Sequence, residues 1–402
     1  MPEPDDSLQD QVPSHAECAT PAASQPPQQQ DASEALREQV RAAHEAKRPL
    51  RIAGSGSKAF LGREVAAAEV LDMRAHHGIT HYDPVELMVS VRAGTPLATL
   101  EAVLAEQGQH LSCEPPHFGP AATVGGTLAS GLSGPRRPWS GSLRDLVLGT
   151  RIISADGKAL RFGGEVMKNV AGYDLSRLMC GAQGTLGVIS EVSLKVMPRP
   201  VASESLCLEL SLAEALTRLN AWGRTPLPIT ATSWHDGRLT LRLEGGERSV
   251  QAGCEQLGGE ALTADQATAH WTELREHRLP FFSARAPHQA LWRLSLPLAL
   301  ALDHLEWQAA VSELLGPVDD ADLLCDWAGA QRWLASDAPA QRIRSLASRL
   351  GGHAICYTPG TVAAEDSPLM PLAAPNARYH LQLKQQLDPH GILNPGRLYA
   401  EM

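Results

Sequence analysis

Three short segments carry glycine and small hydroxyl side chains at spacings that let a ligand approach the main chain. They are Gly54-Ser55-Gly56-Ser57-Lys58, Thr123–Gly134 (TVGGTLASGLSG) and Gly181–Ile189 (GAQGTLGVI). A chain keeps several glycines together where it must take positive φ or let another group come close to the backbone. In the first segment, consecutive N–H groups can form a concave anion nest, and Ser55 and Ser57 add donors. Its spacing matches neither a P-loop nor a dinucleotide fingerprint. Each segment alone also reads as a tight turn or flexible loop with no ligand. Three of them alternating with strands suggest loops converging on one extended ligand. Arg136 and Arg137 follow the second segment, and paired guanidinium groups there could hold a carboxylate or phosphate. The alternative is a solvated pair beside a loop.

The elements that must position these segments are legible in outline. Apolar residues at helical spacing predict a helix over 32–46, with Asp31 and Glu34 as a capping box. A second amphipathic helix is expected over 96–107, with Leu97, Leu100, Val103 and Leu104 on one face. Short strands are expected at 50–53, 67–73, 79–82, 87–93, 146–154 and 188–196. Asp156-Gly157 predicts a hairpin back through 159–162. One or two helical turns are expected at 174–179. Pro198-Arg199-Pro200 marks a boundary. Beyond it, strands at 205–210, 229–234, 239–243, 291–296, 322–327 and 353–358 mix with helices at 212–222, 250–257, 264–277, 302–314 and 339–350. That pattern predicts an α+β domain with an antiparallel sheet and helices on one face. A Pro/Ala run through Pro375 precedes a helix over 376–387 and the terminal path His390–Tyr399.

Composition narrows the function classes. At 402 residues with 43% hydrophobic content, the chain can bury a large core. A net charge of −10 argues against a nucleic-acid partner. No stretch approaches the length of a membrane span. Residues 1–32 are rich in Pro, Gln and Ser without apolar periodicity, so they read as a disordered tail rather than a secretory signal. Seven cysteines stand singly, with no C-x-x-C pair, so no iron–sulfur or zinc site is expected, and a reducing, cytosolic setting is.

Taken in order, RIAGSGSK, TVGGTLASGLSGPRRPWSGSLRDLVLG, KNVAGYDLSRLMCGAQGTLGVI and the terminal DPHGILNPGRL resemble the vanillyl-alcohol-oxidase/PCMH-type FAD-binding family. Within it they are most similar to the FAD-binding subunits of bacterial glycolate oxidases. The resemblance implies an α+β fold: a PCMH-type FAD-binding domain of two α+β subdomains, an inserted α+β cap domain and a C-terminal return to the FAD domain. The boundaries it implies are 1–32 (tail), 33–198 (FAD-binding), 199–375 (cap) and 376–402 (return). It implies that Gly54, Ser55, Gly56, Ser57 and Lys58 form the first pyrophosphate loop. Thr123, Gly125, Gly126, Thr127 and Ser130 would lie beside the pyrophosphate and ribityl chain. Gly181, Gly184, Thr185, Gly187 and Ile189 would line the ribityl and adenine end, with Asn394 and Arg397 returning near the flavin ring.

Two departures qualify it. Covalent members carry a histidine right after the first loop's glycines, where this chain has Ser57, so the resemblance implies non-covalent FAD. Related D-2-hydroxyacid dehydrogenases carry a His-Gly-Asp-Gly-Asn-type motif in the cap. Here His235-Asp236-Gly237 reads as a hairpin turn, and no metal is expected. The first functional expectation is the FAD-binding member of a multi-subunit complex that oxidises glycolate, with D-lactate as a second candidate. Hydride would pass to flavin and electrons to an iron–sulfur partner, beside a separate catalytic flavoprotein subunit. Candidates for its chemistry are Tyr173, Lys168, Arg136 and Arg137. The alternative is a catalytically silent FAD-fold protein that supports the complex or relays electrons. A stand-alone flavin oxidase or reductase has no motif in its favour. The expected location is cytoplasmic, with any membrane association through a partner.

Overall fold

The computed structural model describes residues 29–164, 173–360 and 367–402. Its first helix, Ser33–Ala46, buries Leu36, Val40 and Ala43 and ends on Lys47 in the left-handed conformation. The expected capping box is absent. Ala32 occupies the cap position, Asp31 accepts the Ser33 N–H at 2.9 Å, and Glu34 pairs with Arg37 at 2.7 Å. The helix leads into Leu50–Ala53, which pairs in parallel with Glu69–Asp72. The C-terminal return joins the other side of this strand. Leu50 donates to the Ile392 carbonyl at 2.7 Å, and Asn394 donates to the Leu50 carbonyl at 3.1 Å.

Five antiparallel strands form the main sheet of this half, in the order Ile79–Asp83, Met88–Arg92, Val188–Lys195, Val147–Ile153 and Ala159–Gly163. Val188–Lys195 is central and buried along most of its length, which suits its β-branched run. Helix Leu97–Glu106 closes on this core through Leu97, Leu100 and Leu104. The Asp156-Gly157 hairpin forms as expected, with Gly157 at φ +78°.

The second glycine segment differs from expectation. It is not a loop throughout: Val124–Ser130 is a helix, capped by the Thr123 hydroxyl on the Gly126 N–H at 3.2 Å and ended by Gly131 at φ +65°. Glycine costs a helix about 1 kcal/mol relative to alanine. It is kept here because a Cβ on Gly125 would lie 2.6 Å from Ala93 Cβ.

The second half is built on an eight-stranded, wholly antiparallel sheet. Its order runs Glu260–Ala261, Ala202–Glu209, Arg238–Gly245, Ile229–His235, Leu323–Asp326, Gln331–Ser336, Ala290–Ser295, His353–Thr358. Gln331–Ser336 had no counterpart among the expected strands, because Arg332 interrupts its apolar pattern. That side chain is buried by stacking 3.8 Å from the Trp307 ring centroid and by a hydrogen bond to the Ala301 carbonyl. Successive residues alternate faces. Trp292, Leu294 and Leu334 meet helices Leu212–Trp222, Glu247–Leu257, His304–Leu314 and Ala340–Arg349 in one core. The helix expected over 302–314 forms as His304–Leu314, starting where Asp303 caps it by accepting the Glu306 N–H, and a short unexpected helix, Leu298–Ala301, precedes it.

Helices are not confined to one face. Ala264–Arg275 lies on the other, anchored by Trp271, whose indole donates to Ser205 Oγ at 2.9 Å. On that face Leu291, Leu324, Trp333 and Tyr357 meet Leu61 and Leu132 of the first half in a shared apolar cluster. Polar contacts join the halves as well. Glu276 accepts the N–H groups of His117 and Phe118, and the Trp327 indole donates to the Gly134 carbonyl at 3.0 Å.

Candidate cofactor site

A cavity of about 780 Å3 opens in the first half, a volume suited to a cofactor. Its first wall is the turn Gly54–Lys58 that leaves strand Leu50–Ala53. A Cβ on Gly54 would lie 2.4 Å from Thr123 Oγ1, so only glycine lets this turn close on the helix cap. Gly56 sits at φ +78° with open space where a Cβ would be. Among the described residues, the Ser55 and Gly56 N–H groups have no hydrogen-bond acceptor. Unpaired amides facing a cavity are what an anionic ligand would satisfy.

Thr123, Gly125, Gly126 and Ser130 form the second wall. Gly184 and Ile189 form the third, held against the second by hydrogen bonds from the Gly181 N–H to Leu128 O and from the Gln183 N–H to Ala129 O, at 3.0 and 2.9 Å. Four expected residues stand behind these walls rather than on them. Thr127 is buried with its hydroxyl unpaired. Thr185 turns its hydroxyl to the Ala182 carbonyl at 2.7 Å. Gly187 makes room for Ile152, whose Cδ1 would lie 2.9 Å from a Cβ there. Gly181, at φ +83°, has open space where a Cβ would be, and it is a Cβ on Gly131 that would come 3.0 Å from the Gly181 Cα.

Asn394 and Arg397 line the fourth side, and their polar atoms are occupied by protein. Asn394 sits at φ +41°, accepts the Ile52 N–H at 2.8 Å and donates to the Gln183 carbonyl at 2.7 Å. Arg397 donates to the Ala59 and Arg63 carbonyls and to Gln183 Oε1. Behind them lies a residue that sequence reasoning missed. The buried Lys384 ammonium reaches Thr185 O, Leu393 O and Asp388 Oδ2 at 2.8, 2.8 and 2.7 Å. The i, i+4 spacing to Asp388 was its one visible signal. Lys58 turns its ammonium away to the His117 carbonyl at 3.1 Å, and burial lowers its pKa to about 8.

The candidates for chemistry are not gathered at this cavity. Tyr173 is 96% exposed and outside the lining. Lys168 lies outside the described residues. Arg136 is buried between Glu114 and Glu244, which Arg242 also bridges, at 2.8 Å to Glu114 and 3.0 Å to Glu244. Its partners are 22 and 108 residues away in sequence, so the pair read as available when viewed along the chain. Arg137 stacks its guanidinium 4.4 Å from the Trp327 ring centroid. His235-Asp236-Gly237 is the hairpin turn expected, with His235 Nδ1 at 3.0 Å from the Leu323 carbonyl. Among the described residues no group of three or more His, Cys, Asp or Glu could hold a metal.

Three chain-distant segments, each rich in glycine and small side chains, thus enclose one cavity. Comparison with known proteins agrees with that geometry. The FAD binding domain family matches residues 30–163. Glycolate oxidase subunit GlcE of Escherichia coli K12 is 54% identical over 372 residues, spanning 92% of this chain and 99% of that protein. The chain belongs to the glycolate oxidase subunit GlcE family. Glycolate oxidase subunit GlcD of Bacillus subtilis 168 is 24% identical over 83% of the chain and 79% of its own length. A solved alkyldihydroxyacetonephosphate synthase shares the fold at TM-score 0.62 and 16% identity, over 90% of this chain and 74% of that one. The fold is the PCMH-type FAD-binding fold, and the chain is a subunit of the FAD-dependent oxidoreductase class.

Proposed function

We propose that this chain holds FAD non-covalently in the 780 Å3 cavity and serves as the FAD-binding member of a multi-subunit complex that oxidises glycolate, with D-lactate as a second substrate. The observation that carries this reading is the convergence of Gly54–Lys58, Val124–Ser130 and Gly181–Ile189 on one space with unpaired amides at Ser55 and Gly56. Those amides and the Ser57 hydroxyl would meet the pyrophosphate, and Thr123, Gly125, Gly126 and Ser130 would lie along it. Gly184 and Ile189 would line the adenine end. Asn394 and Arg397 act by holding the walls in register. Thr127, Thr185 and Gly187 act by letting the walls pack, and Gly181 by taking the positive φ its turn requires. FAD, when bound, supplies a two-electron acceptor for the α-hydrogen of a hydroxy acid. The chain's own part is to bind, orient and shield. In this reading electrons leave to an iron–sulfur subunit, and a catalytic flavoprotein subunit completes the complex. The unit from 199 to 375 acts as the cap over the unit from 33 to 198.

The protein would work in the cytoplasm and meet a membrane only through a partner. No described helix is long and apolar enough to cross one. A second reading, a silent FAD-fold protein, draws on a specific observation: Arg136 and Arg137 are engaged elsewhere and Tyr173 is exposed. The test is direct. The purified chain should carry flavin absorbance or regain it on incubation with FAD. A colourless chain that cannot be reconstituted overturns the proposal. Dye reduction by glycolate from the flavin-loaded chain alone selects turnover at this chain's own flavin. Activity only with the partner subunits selects the silent reading.

A further inference from the structure

On the face of the eight-stranded sheet that meets the first half, Arg293 is a part-buried arginine with no ion-pair partner among the described residues. It pairs across strands with Trp333 and Ile355, and shares a small cavity with Tyr357, the extra residue at the bulge opposite Leu291 and Trp292. Among the described residues its guanidinium makes no hydrogen bond, and no carboxylate lies within ion-pair distance. Its Nε is sealed from solvent without an acceptor. Around it stand four more unsatisfied groups on residues at least nine-tenths buried: Tyr357 OH, Trp333 Nε1, Asp326 Oδ1 and Gln331 Oε1. They share a small cavity with Ser133, Gly134 and His277.

Buried polar atoms are ordinarily paired, and although Arg293 as a whole is part-buried, its Nε is sealed with no acceptor. Asp326 does not fill that role. It is hydrogen-bonded to Gln331 at 3.0 Å, and burial raises its pKa to about 8, so near neutral pH it is mostly protonated. His277, lowered to about 3 by burial and then by Arg293, is neutral there and adds no charge. Arg275 is taken by Glu276 at 2.8 Å. The local balance is therefore positive, with donors from Arg293, Tyr357 and Trp333 and no acceptor anion.

We infer that Arg293, Tyr357 and Trp333 form a binding site for the carboxylate of a small organic acid, between the cap sheet and the segment that follows helix Val124–Ser130. The inference rests on the proposed function for the identity of that acid, a 2-hydroxy acid or its 2-oxo product. The site lies close to the larger cavity. Leu61 lines that cavity and packs in the same cluster as Tyr357 and Trp333, while Phe60 touches Tyr357 and Phe118 at centroid distances of 5.1 and 5.5 Å. The small cavity is about 20 Å3, room for one water-sized group, so a whole acid enters only as the aromatic plug moves. The plug is His277, at φ +52°, with its ring 4.5 Å from Trp333, 4.7 Å from Phe282 and 5.2 Å from Tyr357.

Oxalate is the probe, because it carries the carboxylate and has no hydrogen to give up. Titration calorimetry of the flavin-loaded full chain should show one saturable oxalate site. Arg293→Gln should weaken it at least ten-fold and Tyr357→Phe several-fold, with flavin content unchanged. Oxalate binding that survives Arg293→Gln overturns the inference, as does a flavin-loaded wild-type chain that binds no oxalate. Equal heat from sodium chloride at the same ionic strength also overturns it. If Arg293→Gln fails to fold, Tyr357→Phe decides alone. Failure of flavin loading in the wild type overturns the FAD reading instead, so the two failures are distinguishable.

Discussion

Lys384→Met isolates the clamp behind the cofactor cavity. The ammonium is buried, and its three acceptors at 2.7–2.8 Å come from two places: Thr185 on the glycine wall, and Asp388 and Leu393 on the C-terminal return. Methionine keeps the length and the apolar contacts but removes every donor. Two carbonyls lose a partner, and Asp388 keeps only the backbone N–H groups of Ile392 and Leu393 at 3.0 and 2.8 Å. Removing one member of a buried ion pair costs about 3–5 kcal/mol, because the remaining charge stays desolvated. Each ~1.4 kcal/mol that falls on the flavin-binding state rather than on the whole fold weakens FAD retention about ten-fold. The assays are urea unfolding and FAD titration on the same preparation. We expect a loss of about 3 kcal/mol in stability and at least a ten-fold weaker FAD affinity. Pairing with Asp388→Asn closes a cycle in which the double variant is less destabilised than the sum of the singles. A Lys384→Met chain within about 1 kcal/mol of wild type that retains FAD normally would refute the clamp.

Other perturbations test the same geometry. Gly184→Val should abolish flavin retention while the half built on the eight-stranded sheet stays folded. Position 184 has φ +74°, a Cβ there would lie 2.7 Å from Asn394 Nδ2, and left-handed strain adds about 1–2 kcal/mol. Normal flavin absorbance in that variant would show the wall is misplaced. Burial lowers His110 and His270 to about 4 and His277 to about 3. The unfolded chain binds protons first as pH falls, so this contribution to stability is present above about pH 6.5 and drains away toward pH 4 and below. His277→Phe should flatten the acid limb of a stability–pH curve by about one proton, and an unchanged slope counts against the assignment. Asp326 has the opposite sign. Its raised pKa, about 8, means stability is lost as pH rises toward that value, so Asp326→Asn should raise the melting temperature at pH 8 more than at pH 5. An equal shift at both pH values would show that Asp326 is ionised throughout.

The two kinds of information divide along a physical line. Local chemistry is written in the chain. The Asp156-Gly157 and Asp236-Gly237 hairpins, helix Leu212–Trp222 and the helix buried through Leu97, Leu100 and Leu104 follow from turn residues and periodicity acting over a few neighbours. The glycine turns at 54–58 and 181–187 were visible for the same reason: positive φ and missing side chains are properties of a residue type. Partnership is different, because a charge is satisfied through space by whatever the fold brings near. Arg136 looked available until the fold set Glu114 and Glu244 against it. Lys384 lies in the expected helix over 376–387, but the carbonyl of Thr185 that accepts its hydrogen bond is 199 positions away. Arg293 lies within the strand expected over 291–296. Only the stacking of the eight-stranded sheet on the first half sealed its Nε without an acceptor, because desolvation depends on the packed neighbours and not on the chain's order.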